Sequence, residues 1–481
     1  MNWILLVEII YISILVLVCL RIIYDTRSVT KTMAYLLFVI FFPVIGMIFY
    51  FSFGINYRKR KLYNSKLLAD EQLLAGLREH ISSYADESLR QSAGVLQHNR
   101  ELASFLTRDL HSQLTGHNQV KILLNGEEKF PEMLKAISEA RHHIHVEYYI
   151  YENDTIGWQL AELLMQKARE GVTVRFIYDD FGSRRIRKKL VPQLKAAGVQ
   201  AFPFHKVLIL LLANRLNYRN HRKVVIVDGQ TAFTGGINVS DKYINTPGKS
   251  LYWRDTHLRI DGPGVYYLQY LFLCDWRFCS GEALAADEML FMPPSLEANN
   301  TLVQIAASGP DSNQPSILYS LLQAVYLAEK EILITTPYFI PGESMLEALS
   351  IAALSGLKVK LLVPGVSDSK LVNAAARSYY GDLLDAGVKI YLYKKGFVHA
   401  KTMVTDSKLA VIGSANMDYR SFELNFEVNA FVYDTSIAAS LRETFFADLQ
   451  HATRIDPERW AQRALYREIV EKIARLVSPL L

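Results

Sequence analysis

Two copies of one pattern limit what this chain can fold into more than any other feature. His221, Lys223 and Asp228 spell H-x-K-x4-D, and His399, Lys401 and Asp406 spell it again 178 residues later. Each copy carries a short tail, Gly235, Gly236 and Asn238 in the first and Gly413, Ser414 and Asn416 in the second. The segments upstream align too. HHIHVEYYIY (142–151) matches EILITTPYFI (331–340), GVTVRFIYDD (171–180) matches GLKVKLLVPG (356–365), and KAAGVQAFPF (195–204) matches LDAGVKIYLY (384–393). Apolar runs of strand length alternating with helical segments predict an α/β fold, a sheet flanked by helices in each copy. Two matched halves predict a pseudo-twofold arrangement in which His221 and His399 face each other across a seam.

Residues i and i+2 of a strand share a face, so each histidine points into the same space as its lysine. That set suits a phosphodiester, which is anionic and resists attack. One imidazole can attack phosphorus while the other protonates the departing alcohol and later deprotonates the incoming one. Lys223 and Lys401 would neutralise the non-bridging oxygens, with Asn238, Asn416 and the Ser414 hydroxyl as further phosphate-binding groups. Together such groups can replace a divalent metal, so neither metal nor other cofactor is expected. Asp228 and Asp406 complete the two catalytic motifs, yet each follows a strand at a turn, where hydrogen-bonded bracing is the expected role. An imidazole also needs a carboxylate on its second nitrogen. Glu427 is the expected partner of His399, 28 residues upstream of it, and Asp255 the expected partner of His221, because position 249 is a lysine. Arg222 is expected to alternate outward, and Tyr148, Tyr149, Tyr338 and Phe339 to face the core. Glu147, at a buried-looking strand position, is a candidate polar group of the site.

Residues 3–23 and 33–53 are predominantly apolar runs, each long enough as a helix to span roughly 31 Å. A two-helix transmembrane hairpin is expected over 1–57, then a helical connector over 58–118 and two domains over 119–300 and 301–481. A hydrophobic fraction of 50% and a slightly positive mean hydropathy fit such a chain. Arg58-Lys59-Arg60-Lys61 after the second run places the larger part in the cytoplasm by the positive-inside rule. The net charge of +5 is mild for 481 residues and gives no argument for a nucleic-acid partner. Cys19, Cys274 and Cys279 are too few for a disulfide framework and suit a reducing compartment. The first half carries extra residues at 205–218, with aliphatics at 207–212 that read either as a membrane-surface segment or as buried core.

The two motifs resemble those of the phospholipase D superfamily. The fuller strings NHRKVVIVDG, WRDTHLRIDGP, DWRF, HAKTMVTDSKLAVIGSANMDYRSFELNFEVN and SPLL, with the apolar hairpin and NYRKRK, are similar to its bacterial cardiolipin synthase branch. The resemblance implies two phospholipase D-like halves and a metal-independent transfer through a phosphohistidine. It implies a membrane-bound phosphatidyltransferase of the bacterial inner membrane that makes cardiolipin and glycerol from two phosphatidylglycerol molecules. The residues leave open which histidine attacks; the resemblance favours His221, with His399 as acid and base. A phospholipase D-type hydrolase is the alternative, and a membrane-tethered nuclease a more distant one. The oligomeric state is not legible.

Overall fold

The computed structural model describes residues 3–26, 29–51, 93–96, 98–204, 218–248, 251–282, 284, 301–312, 314–476 and 478. The basic cluster at 58–61, most of the connector and the 207–212 aliphatics lie outside the described residues. The first apolar run is the helix Trp3–Asp25, long and apolar enough to cross a membrane. The second run is not one helix. It breaks at Phe42 into Val29–Phe41 and Pro43–Phe49, because proline restricts the residue before it and Phe42 leaves the helical region (φ −131°, ψ 67°). Val18 and Ile22 of the first helix pack on Val39 and Tyr50.

The strands run in chain order as β1 (Thr115–Leu124), β2 (His143–Tyr148), β3 (Thr173–Asp179), β4 (Gln200–Phe204), β5 (Lys223–Val227), β6 (Thr231–Gly235), β7 (Tyr252–Arg254) and β8 (Thr256–Asp261). The second half repeats the series as β9 (Thr301–Ser308), β10 (Glu331–Thr335), β11 (Phe339–Ile340), β12 (Lys358–Pro364), β13 (Lys389–Tyr393), β14 (Gly396–Val398), β15 (Thr402–Thr405), β16 (Leu409–Gly413), β17 (Met417–Asp418), β18 (Glu427–Tyr433) and β19 (Ala452–Arg454). Fifteen of them form one sheet, ordered β19-β13-β12-β10-β15-β16-β18-β9-β1-β8-β6-β5-β2-β3-β4. Read outward from the middle, the two wings mirror each other, and β1 joins β9 antiparallel at the seam. The expected start of the first domain, residue 119, falls inside β1.

Helices cover both faces, so β2, β5, β9, β10, β16 and β18 are buried at every position. β5 and β16 read as nearly continuous apolar runs, whereas β2 buries His143, His145 and Glu147 in alternation with Ile144, Val146 and Tyr148. One core cluster crosses the seam, combining Val224, Ile226 and Leu258 with Val404, Ile412 and Val428 under the helix Val265–Ser280. Burial on both faces also overturns the expectation for Arg222. It is buried and paired with Asp275 of that helix. Removing one partner of such a pair strands a charge in the core. Asp275→Ala is therefore expected to cost about 3–5 kcal/mol of stability, read as a lower midpoint of denaturation in detergent.

The turns after β5 and β15 explain the aspartates of the motifs. Asp228 and Gly229 have φ of 52° and 66°, and Asp406 and Ser407 have 54° and 52°, the conformation of a tight hairpin turn that aspartate tolerates. The Asp228 carboxylate accepts from the backbone N–H groups of Arg141, His142 and His143. Asp406 accepts likewise from Glu329, Lys330 and Glu331. Each aspartate ties its hairpin to the loop entering β2 or β10. Both carboxylates are thus engaged in bracing their hairpins.

Candidate active site

Each histidine enters the site on a stretch of backbone paired with the opposite half. β14 runs parallel to β7, pairing Phe397 with Trp253 and Val398 with Arg254, and the His399 N–H donates to the Arg254 carbonyl (2.7 Å). In mirror fashion Asn220 bridges to Phe426, and the His221 N–H donates to the Phe426 carbonyl (2.9 Å). The next residues along those partner stretches are Asp255 and Glu427. The pairing that fixes the histidine backbone thus also delivers a carboxylate to its ring. His399 Nδ1 lies 2.7 Å from Asp255 Oδ2, and His221 Nδ1 lies 2.9 and 3.0 Å from the two oxygens of Glu427. The two expected carboxylates are in place but exchanged: Glu427 serves His221 and Asp255 serves His399.

The carboxylates are held differently. Glu427 accepts from the Ser414 hydroxyl (2.5 Å) and from the Asn425 amide (3.2 Å). Asp255 accepts from the Thr256 N–H (2.7 Å) and lies against Gly236, where a Cβ would stand 2.1 Å from its Oδ1. Only glycine fits there, whereas the equivalent position of the second half is Ser414. Burial opposes charge on both carboxylates. His221, Lys223 and the Ser414 hydroxyl nevertheless hold Glu427 below the usual range, and Lys401, His399 and the Thr256 N–H do the same for Asp255.

The cations are held partly discharged. Lys223 and Lys401 are buried, and each ammonium donates to the carbonyl of its own histidine (2.5 Å). Burial pushes Lys223 down to about 7, with Glu427 opposing and Lys401 adding to the shift. Burial likewise pushes Lys401 down to about 8 against Asp255 and Glu427. The Lys401 ammonium also lies 3.2 Å from His399 Nε2. Burial and that cation push His399 down to about 3, against Asp255. Burial lowers His221 as well, with Glu427 opposing, but its Nε2 has no hydrogen-bond partner among the described residues.

The remaining polar groups look inward. Ser414 is committed to Glu427 and to the Val428 N–H. Asn238 accepts from the Ile150 N–H and donates to the Tyr243 hydroxyl (2.8 Å), and Asn416 donates to Asp418 (3.0 Å). All three brace the site in this structure, and Asn416 Oδ1 is buried without a partner among the described residues. Glu147 accepts from the Asn220 side chain behind His221, and burial together with Asp275 raises its pKa far above the ordinary range.

Several neighbours carry no motif and were missed. Tyr149, expected in the core, sets its ring 5.0 Å from His221. Trp253, Phe397 and Tyr243 surround His399 at 5.4, 5.8 and 6.0 Å, and the Lys242 ammonium lies over the Trp253 ring at 4.4 Å. The string WRDTH contained the signal for Trp253, since it sits two residues before the carboxylate. Nothing in the sequence singles out Lys242.

Two imidazoles with crossed carboxylates, in a seam between mirrored α/β halves, define a phosphodiester-handling site of the phospholipase D type. The family profile described as "Cardiolipin synthase, PLD-like domain" matches residues 133–250 and 321–449, and "Phospholipase_D-nuclease N-terminal" matches 9–54. "Cardiolipin synthase 2" of Bacillus anthracis is 42% identical over 457 residues, covering 95% of this chain and 88% of its own. "Major cardiolipin synthase ClsA" of Bacillus subtilis (strain 168) is 41% identical over 460 residues, covering 95% of both. Among solved structures, the phosphatidylserine synthase of Haemophilus influenzae shares the fold with a TM-score of 0.60 at 14% identity, over 79% of this chain and all of its own. The chain belongs to the PLD-like cardiolipin synthase family.

Proposed function

We propose that this protein is a membrane-bound phosphatidyltransferase that makes cardiolipin and glycerol from two molecules of phosphatidylglycerol. The observation that carries the reading is the pair of crossed dyads, His221 with Glu427 and His399 with Asp255, in a chain 42% identical over most of its length to curated cardiolipin synthases. His221 is assigned as the nucleophile; its Nε2 has no hydrogen-bond partner among the described residues, whereas the Lys401 ammonium lies 2.9 and 3.2 Å from the two ring nitrogens of His399 and disfavours attack by that imidazole. In the first step His221 Nε2 bonds to phosphorus and the bond to the glycerol oxygen breaks. His399, protonated, gives that oxygen its proton. In the second step the terminal hydroxyl of another phosphatidylglycerol attacks, His399 takes its proton, and the phosphorus–nitrogen bond breaks. One phosphodiester replaces another, so no nucleotide is needed.

His399 is neutral in the empty site at ordinary pH. An anionic phosphodiester between the imidazoles reverses that balance by favouring every nearby positive charge. Lys223, Lys401, Asn238 and Asn416 would contact its oxygens, the two asparagines by turning from their present partners. The helix Trp3–Asp25 would anchor the chain in the cell membrane, and the broken second run would complete a hairpin that leaves the catalytic part in the cytoplasm.

Expression in cells lacking their own synthase tests the reading. Cardiolipin should appear in the lipid profile, whereas phosphatidic acid without cardiolipin would mark a hydrolase and overturn it. The lysines add a prediction. Because Lys223 and Lys401 release protons near 7 and 8 in the empty site, an anion that needs both charged must bring protons with it. Affinity for tungstate, a phosphate mimic, should therefore fall as pH rises from about 7 to 9. Calorimetry in buffers of different ionisation enthalpy should register proton uptake near pH 8.

A further inference from the structure

The C-terminal helix Leu465–Leu476 turns its apolar side away from the protein. At 100° per residue, Leu465, Leu476, Ile469, Ile473, Tyr466 and Val470 fill one unbroken arc of roughly 140°. Every one of them is exposed, from 48% at Ile469 to 80% at Leu476. The side facing the protein holds Ala474 and Glu471 instead, both buried. Glu471 accepts from Arg377 (2.8 Å) and Arg463 (2.7 Å), so a small residue and two ion pairs dock the helix. Soluble surfaces rarely present a contiguous apolar strip of this kind.

The borders of the strip and its place on the protein indicate what covers it. On the wheel Lys472 borders one edge, followed by Glu468 and Arg475, and Arg467 lies past Ala474 at the other. Lys472 pairs with Glu468 (2.8 Å) and Arg475 with Asp382 (3.1 Å), and three basic groups against one exposed carboxylate are the composition of a helix lying in a lipid headgroup layer. The helix rests on Lys370–Arg377, which exposes Leu371 and follows directly on a loop exposing Val366. Asp368 of that loop accepts from the Tyr338 hydroxyl (2.6 Å). The Tyr338 ring lies 6.4 Å from Phe397, which lies 5.8 Å from His399. The outward apolar surface is thus tied, contact by contact, to the rim of the catalytic seam.

We propose that Leu465–Leu476 is an interfacial helix that beds its apolar arc in an anionic phospholipid bilayer and turns the Tyr338–Phe397 side of the site toward the lipid. The turnover part of its test rests on the transferase reading above; the depth part does not. For depth, Ile473→Cys, in a full chain with Cys19→Ser and Cys279→Ser, carries an environment-sensitive fluorophore in phosphatidylglycerol vesicles containing nitroxide-labelled lipid. Quenching at 473, and none at an exposed control position (Gln193→Cys), is the expected result. No quenching at 473 overturns the proposal. So does self-quenching that depends on protein density without lipid quenching, which would assign the face to a second copy of the chain. For turnover, Ile469→Asp with Ile473→Asp should lower cardiolipin formation on vesicles about tenfold while short-chain monomeric phosphatidylglycerol is converted within about twofold of the parent rate. Equal losses on both substrates overturn it. If the parent chain makes no cardiolipin, the transferase reading fails, and the quenching result still decides the proposal.

Discussion

Alanine at His221 or at His399 is expected to reduce cardiolipin formation by roughly five to six orders of magnitude, and the double variant should lose no more than either single one. On the proposed mechanism the two imidazoles work as one unit, because covalent attack and leaving-group protonation are halves of one displacement. They should separate only when the leaving group needs no proton. A p-nitrophenyl phosphodiester leaves as a stabilised anion, so His399→Ala should still release one equivalent of nitrophenol in a burst and stop with the phosphoryl group on His221. His221→Ala should give no burst. A burst from His221→Ala and none from His399→Ala would exchange the roles, and bursts from both would remove the paired mechanism. Mass spectrometry of the trapped peptide reads the same outcome independently.

Much of this machinery was legible in the sequence for a simple reason. The offset of 178 residues also separates the matching turns at Asp228 and Asp406, so two weak motifs confirmed each other and pointed to two matched halves. Asp255 and Glu427 were also found, Glu427 by its distance from His399 and Asp255 because Lys249 stands at the matching position of the first half. Their assignment went astray because each half was treated as self-contained. The contacts that decide it, β14 with β7 and Asn220 with Phe426, join segments more than 140 residues apart, which no local pattern records. Arg222 was misread because alternation assumes a sheet with one wet face, and here both faces are covered. Ser414 was assigned to phosphate because a hydroxyl beside a catalytic strand fits either role. Only the structure shows its 2.5 Å bond to Glu427.

The exchanged carboxylates lead to the second large effect. Glu427→Gln and Asp255→Asn should each lower turnover by roughly three to four orders of magnitude, since a buried carboxylate fixes the tautomer of its imidazole and balances the charge formed on it. Equal losses would not reveal which carboxylate serves which ring. The burst from His399→Ala does, because it isolates the attack by His221. In that background Glu427→Gln should slow the burst by about a thousandfold, whereas Asp255→Asn, whose ring partner is gone, should change it by less than about tenfold. Pairing within each half would give the reverse ranking. Ser414→Ala should follow Glu427→Gln in this assay, in the same direction and to a smaller degree, because its hydroxyl, held by the Val428 N–H, donates to Glu427. If Ser414→Ala instead slowed overall turnover while leaving the burst untouched, the hydroxyl would belong to the acceptor step. On this mechanism a seam that crosses its carboxylates in this way would leave neither half competent alone. The histidine of each domain is oriented by the other, so correct docking of the halves is itself a condition for chemistry.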